Sequence, residues 1–130
     1  MIAQNRQLAA IETARDGIAI LNGDKFVYVN QAHLEIYGYR NPEEVLGLSW
    51  RILYEPEEAF RLKKEVFPIL EKQGTWQGIA HAKHCQGYTF DEELTLTFTS
   101  TGDLICVCRD ISDRLKIAKS LRESERRYRN

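Results

Sequence analysis

Near the C-terminal end of the chain, apolar residues fill both sets of alternating positions between residues 104 and 108. Successive side chains of a β-strand point to opposite faces. The two sets are Leu104, Cys106 and Cys108 on one face and Ile105 and Val107 on the other. Because a strand that is apolar on both faces is typical of the interior of a sheet, this segment is predicted to be the central strand. The alternation ends at Asp110, and a helical pattern follows immediately.

Four further segments alternate with the period of a strand. Residues 17–22 and 25–30 are predicted to form a hairpin with a Gly-Asp turn. Residues 76–84 and 88–99 precede the central strand, and glycine-containing turns separate these strands. The apolar face of residues 88–99 has one exception, Glu92. A carboxylate among apolar side chains is costly unless a partner satisfies it, so Glu92 is a candidate functional residue.

Short helices are predicted between the hairpin and the last three strands. Asn30 is a favourable N-cap for a helix that ends at Gly38. Asn41, followed by proline and by an acid three residues after the cap, indicates a capping box. Residues 49–54 form a further turn or short helix.

The longest internal helix is predicted within residues 56–72. Its apolar face comprises Ala59, Leu62, Val66 and Ile69. Pro68 conflicts with a regular helix because it removes one backbone hydrogen bond. We therefore expect a kink or break near Phe67.

Helical patterns also occupy both ends of the chain. Residues 3–14 contain no helix breaker and have a thin apolar stripe. Ser112 is a favourable N-cap, and an uninterrupted helical segment follows it to residue 130. The order of elements is then helix, two strands, short helices, three strands and helix. Five antiparallel strands with helices on one face form an α+β architecture.

Composition narrows the class of protein. The 130 residues are 43% hydrophobic and 28% charged with a net charge of −1, which is ordinary for a globular domain. The absence of a long apolar run or a signal peptide predicts a cytoplasmic protein without a membrane segment. Residues 113–130 contain seven Lys/Arg against three Asp/Glu. Because these charges alternate around a helix, nucleic-acid binding is not expected.

Six short stretches add a pattern that spans residues 5–114. They are Asp16-Gly17-Ile18-Ala19-Ile20, Val27-Tyr28-Val29-Asn30-Gln31-Ala32, Tyr37-Gly38-Tyr39, Pro42-Glu43-Glu44-Val45-Leu46-Gly47, Gly74-Thr75-Trp76-Gln77-Gly78 and Arg109-Asp110-Ile111-Ser112. In this order and spacing, they resemble the PAS family of sensory domains. The resemblance implies an N-terminal flanking helix at residues 1–15, a PAS core at residues 16–111, and a C-terminal signalling helix at residues 112–130 that leads to a further domain.

The resemblance also implies a function. The ending at residues 121–129 looks like the helix that introduces a sensory or kinase domain, so the parent protein is expected to be a sensor histidine kinase. The fragment itself has no catalytic residue pattern and is not expected to be an enzyme. Two functions stay open: a sensor whose ligand biases the exit helix, and a ligand-free module for dimerisation and relay. An unidentified small molecule is a potential partner only in the first case.

The resemblance implies a set of candidate pocket residues: strand positions whose side chains would face the helices, together with Trp50, Leu53 and Leu62, which would fill space beside them. They are Ala19, Leu21, Trp50, Leu53, Leu62, Ala80, Ala82, His84, Glu92, Leu94, Leu96, Cys106 and Cys108. Many are small and leave space that a ligand or the core's own aromatic side chains can fill. Glu92 would require a ligand, His84 or trapped water as its partner. His33 and His81 are most simply surface residues.

No cofactor is expected. Trp50 stands where the light-sensing branch of the family has its reactive cysteine, so a flavin–cysteine adduct cannot form there. Residues 56–72 contain no histidine, and a haem would have to recruit His33 or His84. Cys106 and Cys108 offer only two of the four ligands that zinc prefers. No metal site is therefore predicted.

Two sets of residues are assigned to assembly and signal exit. The predicted homodimer interface comprises Leu8, Ile11, Ile18, Ile20, Ile105, Val107, Ile117, Leu121 and Tyr128. Part of this set is an apolar strip on the outer face of the sheet. Ile117, Leu121 and Tyr128 follow a coiled-coil spacing, and Leu8 and Ile11 belong to the thin stripe of the N-terminal helix. At the exit, Asp110 is predicted to pair with Arg114 and so to fix the helix start at Ser112.

Overall fold

The computed structural model describes residues 15–112 together with residues 121, 122 and 124. The predicted helix at residues 3–14 and most of the predicted C-terminal helix lie outside these residues. In chain order the elements are β1 (Gly17–Asn22), β2 (Lys25–Val29), α1 (Gln31–Tyr37), two 3₁₀ turns (Pro42–Glu44 and Trp50–Leu53), α2 (Pro56–Arg61), a π-helical turn (Leu62–Val66), α3 (Phe67–Gln73), β3 (Thr75–Lys83), β4 (Thr89–Phe98) and β5 (Leu104–Asp110).

The strands form one antiparallel sheet in the order β2-β1-β5-β4-β3. The predicted α+β class is confirmed, and β5 is the central strand as its two apolar faces indicated. Its inner residues Leu104, Cys106 and Cys108 are buried in the core, while Ile105 and Val107 are half-buried on the outer face. The helices cover the inner face, where the core and any pocket must lie.

Asn30 connects the hairpin to α1 through its side chain. Its Oδ1 accepts hydrogen bonds from the backbone N–H groups of Ile18 and His33, both at 2.9 Å. Its Nδ2 donates to the carbonyl of Asp16 at 3.1 Å. The predicted N-cap is thus confirmed, and the same side chain fixes the position of α1 against β1. Gly38 ends α1 in the left-handed conformation with φ +84°, as the glycine predicted.

The predicted kink near Pro68 is a π-helical turn between α2 and α3. The Phe67 N–H donates to the carbonyl of Leu62, five residues earlier. The wider turn accommodates Pro68, which has no N–H to donate. It also changes which residues face the core: Leu70 is fully buried and Ile69 is 40% exposed. Placing Ile69 on the buried face was wrong, because that prediction assumed an unbroken 3.6-residue period.

The segment before the second 3₁₀ turn lies along the outer edge of β2. The Phe26 N–H donates to the carbonyl of Leu48 at 3.0 Å, and the Gly47 N–H donates to the carbonyl of Phe26 at 2.9 Å. Ser49 then caps the turn by accepting from the Arg51 N–H at 3.2 Å. The predicted capping box at Asn41 is wrong, because that side chain makes no cap hydrogen bond and only a 3₁₀ turn follows.

At the opposite edge of the sheet, side chains of α2 contact the backbone of β3. Glu58 Oε2 accepts from the His81 N–H at 2.7 Å. Arg61 Nη2 donates to the carbonyl of Ile79 at 3.2 Å and also binds Glu58. These contacts fix α2 to the edge strand.

Candidate functional site

A small cavity lies between the inner face of the sheet and the helices. Eight predicted pocket residues line it: Leu21, Trp50, Leu53, Leu62, Leu94, Leu96, Cys106 and Cys108. Six further lining residues were not predicted from the sequence: Phe26, His33, Tyr37, Tyr54, Phe67 and Leu104. The cavity volume is about 40 Å³, which is enough for water but well below the roughly 300–1,000 Å³ of ordinary ligand pockets.

Glu92 lies beside this cavity and is completely buried. The Tyr54 hydroxyl donates to Glu92 Oε1 at 2.5 Å, and the Tyr37 hydroxyl donates to Oε2. Within the part of the chain that the structure describes, Glu92 has no ion-pair partner. Its side-chain partners are therefore two tyrosines from the helical layer. The sequence had offered a ligand, His84 or trapped water, and His84 is not among the partners.

The electrostatic state of Glu92 follows from these surroundings. Burial raises the pKa of its carboxyl from 4.5 to about 7, although the hydrogen bonds from Tyr37 and Tyr54 oppose this increase. Negative charge on Glu58 and Asp110 raises the pKa further. Two neutral donors satisfy the carboxylate without cancelling its charge. Glu92 can consequently change its protonation state near neutral pH.

The cysteines beside Glu92 are in a different state. Burial raises the pKa of the Cys106 thiol to about 12, with a contribution from the charge of Glu92. The same two causes raise the pKa of Cys108 well above its ordinary value. A thiol that stays protonated is a poor nucleophile and a poor metal ligand. Among the described residues, no group of three or more His, Cys, Asp and Glu side chains is arranged to hold a metal ion.

His33 is a cavity residue, so placing it on the surface was wrong. It is 2% exposed and packs between the rings of Phe26 and Tyr37. Burial lowers the pKa of its imidazole to about 4, so it is neutral at pH 7. Its Nδ1 is buried without a hydrogen-bond partner among the described residues. The short helix α1 buries four of its seven residues, and no apolar pattern in the sequence marks His33 as one of them.

The remaining predicted pocket residues have other positions. Ala19, Ala80 and Ala82 are buried in the core without lining the cavity. His84 was wrongly placed in the pocket, because β3 ends at Lys83 and the alternation stops there. The His84 ring lies in the following turn and stacks on Tyr88, with 4.4 Å between ring centroids.

The exit segment follows β5 directly. Asp110 pairs in register with Glu92 across the sheet, and its Oδ1 accepts from the Ser112 N–H at 2.9 Å. This hydrogen bond closes the turn at the end of β5, and the predicted N-cap role of Ser112, whose partners lie outside the described residues, stays a prediction. Ile111 is 2% exposed, and its N–H donates to the carbonyl of Asp91 at 3.2 Å. Arg114 lies outside the described residues, so its pairing with Asp110 stays a prediction.

The predicted interface residues are only partly described. Ile18, Ile20, Ile105 and Val107 are half-buried on the outer face of the sheet, and Leu121 is 60% exposed. Leu8, Ile11, Ile117 and Tyr128 lie outside the described residues. The outer strip exists as predicted, and its role as a dimer interface stays a prediction. The helices that the structure describes are all too short or too polar to cross a bilayer.

Comparison with known proteins gives one family match. The model of the PAS domain matches residues 15–113. A search of curated protein sequences found no significant match.

Solved structures share the fold. A PAS domain from Colwellia psychrerythraea is 22% identical with a TM-score of 0.77, covering 85% of this chain and 98% of that chain. A PAS domain of a LuxR-family transcriptional regulator from Burkholderia thailandensis, solved in complex with ethanol, is 17% identical with a TM-score of 0.74 and covers 81% and 96%. A domain of a sensory box sensor histidine kinase/response regulator from Geobacter sulfurreducens is 22% identical with a TM-score of 0.68 and covers 83% and 94%. Light-oxygen-voltage domains are also among the similar structures.

Proposed function

The chain belongs to the PAS domain family, and on this premise we propose that it relays a change in its core to the segment that leaves the domain after β5. The observation that supports this proposal is the joint between β4 and β5. Asp110 faces the buried Glu92 across the sheet, and Asp91 binds the N–H of Ile111. A change around Glu92 therefore acts on the exit segment through one strand-to-strand contact.

The parent protein is a cytoplasmic sensor histidine kinase in this proposal, and the fragment itself is not an enzyme. The helical pattern at residues 112–130 supports a connection to a further domain. The similar domain from a Geobacter sulfurreducens sensor histidine kinase/response regulator supports the proposal that this further domain is a histidine kinase. Neighbouring sensory or kinase domains of the same chain are then the partners of the exit helix.

The domain works without flavin or haem. Trp50 is buried and fills space next to the cavity, where its ring also packs against Phe67. A tricyclic flavin ring or a haem is much larger than the 40 Å³ that is free. Visible absorbance of protein purified from cells tests this part of the proposal, and a flavin or haem spectrum would contradict it.

Two candidate functions differ in what changes the core: a bound small molecule in a ligand sensor, or strain from a neighbouring domain in a ligand-free relay. The small cavity favours the ligand-free relay. Native mass spectrometry of the purified protein separates the two candidates. A bound small molecule supports the ligand-sensing function. The similar PAS domain solved in complex with ethanol is a precedent for a very small ligand. Protein of the sequence mass alone, with no binding after a ligand screen, supports relay.

The relay operates in a homodimer that the outer strip helps to form. Ile18, Ile20, Ile105 and Val107 provide an apolar surface on β1 and β5, and such strips commonly mark interfaces. Sedimentation at high concentration tests this assembly. The double variant Ile105→Lys/Val107→Lys is expected to be monomeric, whereas Ile79→Lys, an exposed position on the edge strand β3, is expected to leave the dimer intact. A monomeric wild-type protein would refute the dimer.

Asp110 provides the test of the relay itself. Its side chain accepts an exposed hydrogen bond from the Ser112 N–H, so Asp110→Ala is expected to cost only about 1 kcal/mol of stability. That amount is comparable to a coupling energy between two sites, roughly 1–3 kcal/mol. In the parent kinase, the substitution is therefore expected to change basal or stimulated autophosphorylation clearly, with folding intact. Unchanged activity at both levels would show that the joint only connects two domains.

A further inference from the structure

The buried cluster of Glu92, Tyr37 and Tyr54 has two distinct hydrogen-bonding states. As a carboxylate, Glu92 accepts from both hydroxyls, one on each oxygen. After it takes up a proton, one oxygen carries an O–H group and becomes a donor. The hydroxyl that pointed at that oxygen must then turn away or act as an acceptor. Proton uptake therefore rearranges contacts between the sheet and the helical layer.

We infer that Glu92 is a proton-binding site that regulates the exit segment, so that uptake of a proton by its carboxylate changes how β4 holds β5 at Asp110 and Ile111. This inference rests on the relay function proposed above and names the ligand that the relay detects. A proton requires no cavity, which agrees with the small free volume beside Glu92.

The charges around Glu92 favour such a response. The titratable groups that interact with Glu92 come from several packed elements: Tyr37 on α1, Tyr54 after the second 3₁₀ turn, Glu58 on α2, and Cys106, Cys108 and Asp110 on β5. On β3 and β4, the alternation of the strands puts His81, Asp91 and Glu93 on the opposite face of the sheet from Glu92. The nearby cation Arg61 is paired with Glu58. Glu92 thus lies among negative and neutral groups, and its pKa of about 7 agrees with that arrangement.

Two contacts connect this cluster to the exit. Tyr37 lies close enough to Cys108 for each side chain to change the pKa of the other, so a released Tyr37 hydroxyl has a sulfur atom nearby on β5. On the other side, Asp110 repels the Glu92 carboxylate, and protonation removes that repulsion. Both effects act on the strand that continues into Ile111 and Ser112.

The first experiment follows the Glu92 carboxyl and the exit amides in the same sample. Protein labelled with ¹³C at the glutamate carboxyl is titrated by NMR, and Glu92→Gln identifies the Glu92 signal. We expect its midpoint near pH 7, with the Ile111 and Ser112 amide shifts following the same curve. Tyr54→Phe is expected to raise the midpoint by about one pH unit, since it removes a donor to the anion. Asp110→Asn is expected to lower the midpoint because it removes a repelling charge. This substitution keeps the side-chain oxygen that accepts from the Ser112 N–H.

The control addresses another group near the exit. His81 contacts Asp91, whose carbonyl accepts from the Ile111 N–H, so it is a second ionisable side chain connected to the exit. In His81→Gln the pH response of Ile111 is expected to persist, and in Glu92→Gln it is expected to vanish. A response that vanishes in His81→Gln and persists in Glu92→Gln would overturn the inference, as would a Glu92 midpoint below about pH 5.

A substitution in the cavity wall distinguishes failure of proton sensing at Glu92 from failure of the proposed relay function. Cys108→Val changes the cavity wall without adding charge. If it shifts the Ile111 and Ser112 amides while pH does not, the relay function stands and proton sensing is refuted. If neither change reaches the exit amides, the coupling between core and exit is refuted, and the inference fails with it.

Discussion

Glu58 and Glu92 are both buried glutamates, and the folded protein gives their carboxyl groups opposite pKa shifts. Arg61 binds both oxygens of Glu58 at 2.5 and 2.9 Å, and the His81 N–H adds a third donor. Burial raises the pKa of Glu58, yet these donors outweigh burial and hold it below 4.5. Among the described residues, the side-chain donors to the Glu92 carboxyl are the neutral hydroxyls of Tyr37 and Tyr54, and burial raises its pKa to about 7.

The comparison separates hydrogen bonding from charge compensation. Both carboxylates have partners, but only Glu58 has a cation beside it. Glu58 therefore stays ionised and fixes α2 to the sheet, whereas Glu92 can exchange a proton near neutral pH. A buried acid becomes a site of regulation when its partners satisfy its lone pairs without neutralising it.

The largest expected effect comes from removing Glu92 alone. Glu92→Leu leaves the Tyr37 and Tyr54 hydroxyls buried without their acceptor, and we expect a loss of about 2–4 kcal/mol of stability at pH 6. Replacing all three partners by apolar residues, with Tyr37→Phe and Tyr54→Phe added, is expected to return the stability to within about 1 kcal/mol of the wild type. Urea unfolding measures both. Equal stability of the single and triple variants would show that the hydroxyls do not depend on Glu92.

A second prediction compares how Glu92 and His33 change the stability of the protein as pH varies. Below its folded pKa of about 7, Glu92 holds a proton that the unfolded chain releases above 4.5. Its contribution to stability is complete below 4.5 and is lost as pH rises through 7. His33 behaves oppositely, because its pKa falls from 6.5 to about 4 on folding, so stability is lost as pH falls through that range. Each group contributes a limiting slope of about 1.4 kcal/mol per pH unit.

These two slopes offset each other between pH 4.5 and 6.5. Relative to the wild type, His33→Phe is expected to lose stability as pH rises through this window, and Glu92→Gln is expected to gain it. Urea unfolding at both ends of the window gives the two differences. Parallel stability curves for all three proteins would contradict the assigned pKa shifts.

The smallest effect on stability is expected from removing Arg61, the cation that binds Glu58. Arg61 is partly exposed, so screening limits its interaction with Glu58, and Arg61→Met is expected to cost about 1 kcal/mol at pH 7. The loss is expected to shrink as pH falls through the lowered pKa of Glu58, where protonation removes the unpaired charge. Lys63→Met, an exposed change on the same helical segment, is the matched control. Equal losses in the two variants would show that the charge of Arg61 does not matter.

Local sequence patterns were sufficient to predict most of the fold. The hairpin, the Asn30 cap, the Gly38 end of α1 and the central position of β5 all follow from short-range chemistry and alternation. Two of the errors arose because a periodic pattern was continued beyond the element that produces it. Ile69 was assigned to the core because the π-helical turn adds a residue that periodicity does not show, and His84 because strand alternation was continued beyond Lys83.

The site was less predictable than the fold. Glu92 stood out as an acid on an apolar face, so its burial could be foreseen. Its partners could not, since Tyr37 and Tyr54 lie 55 and 38 residues away in sequence and reach Glu92 only through tertiary packing. His33 gave no signal, because a short helix with four buried residues has no distinct polar face.

The contacts at β2 and β3 have a consequence for self-association. An edge strand offers free backbone groups on which another chain can add as a further strand. Along β2, Phe26 is already bonded to the segment at Gly47 and Leu48. Along β3, Glu58 and Arg61 take up the His81 N–H and the Ile79 carbonyl and so imitate a neighbouring strand. The ion pair that fixes α2 thereby also protects the domain from edge-to-edge aggregation.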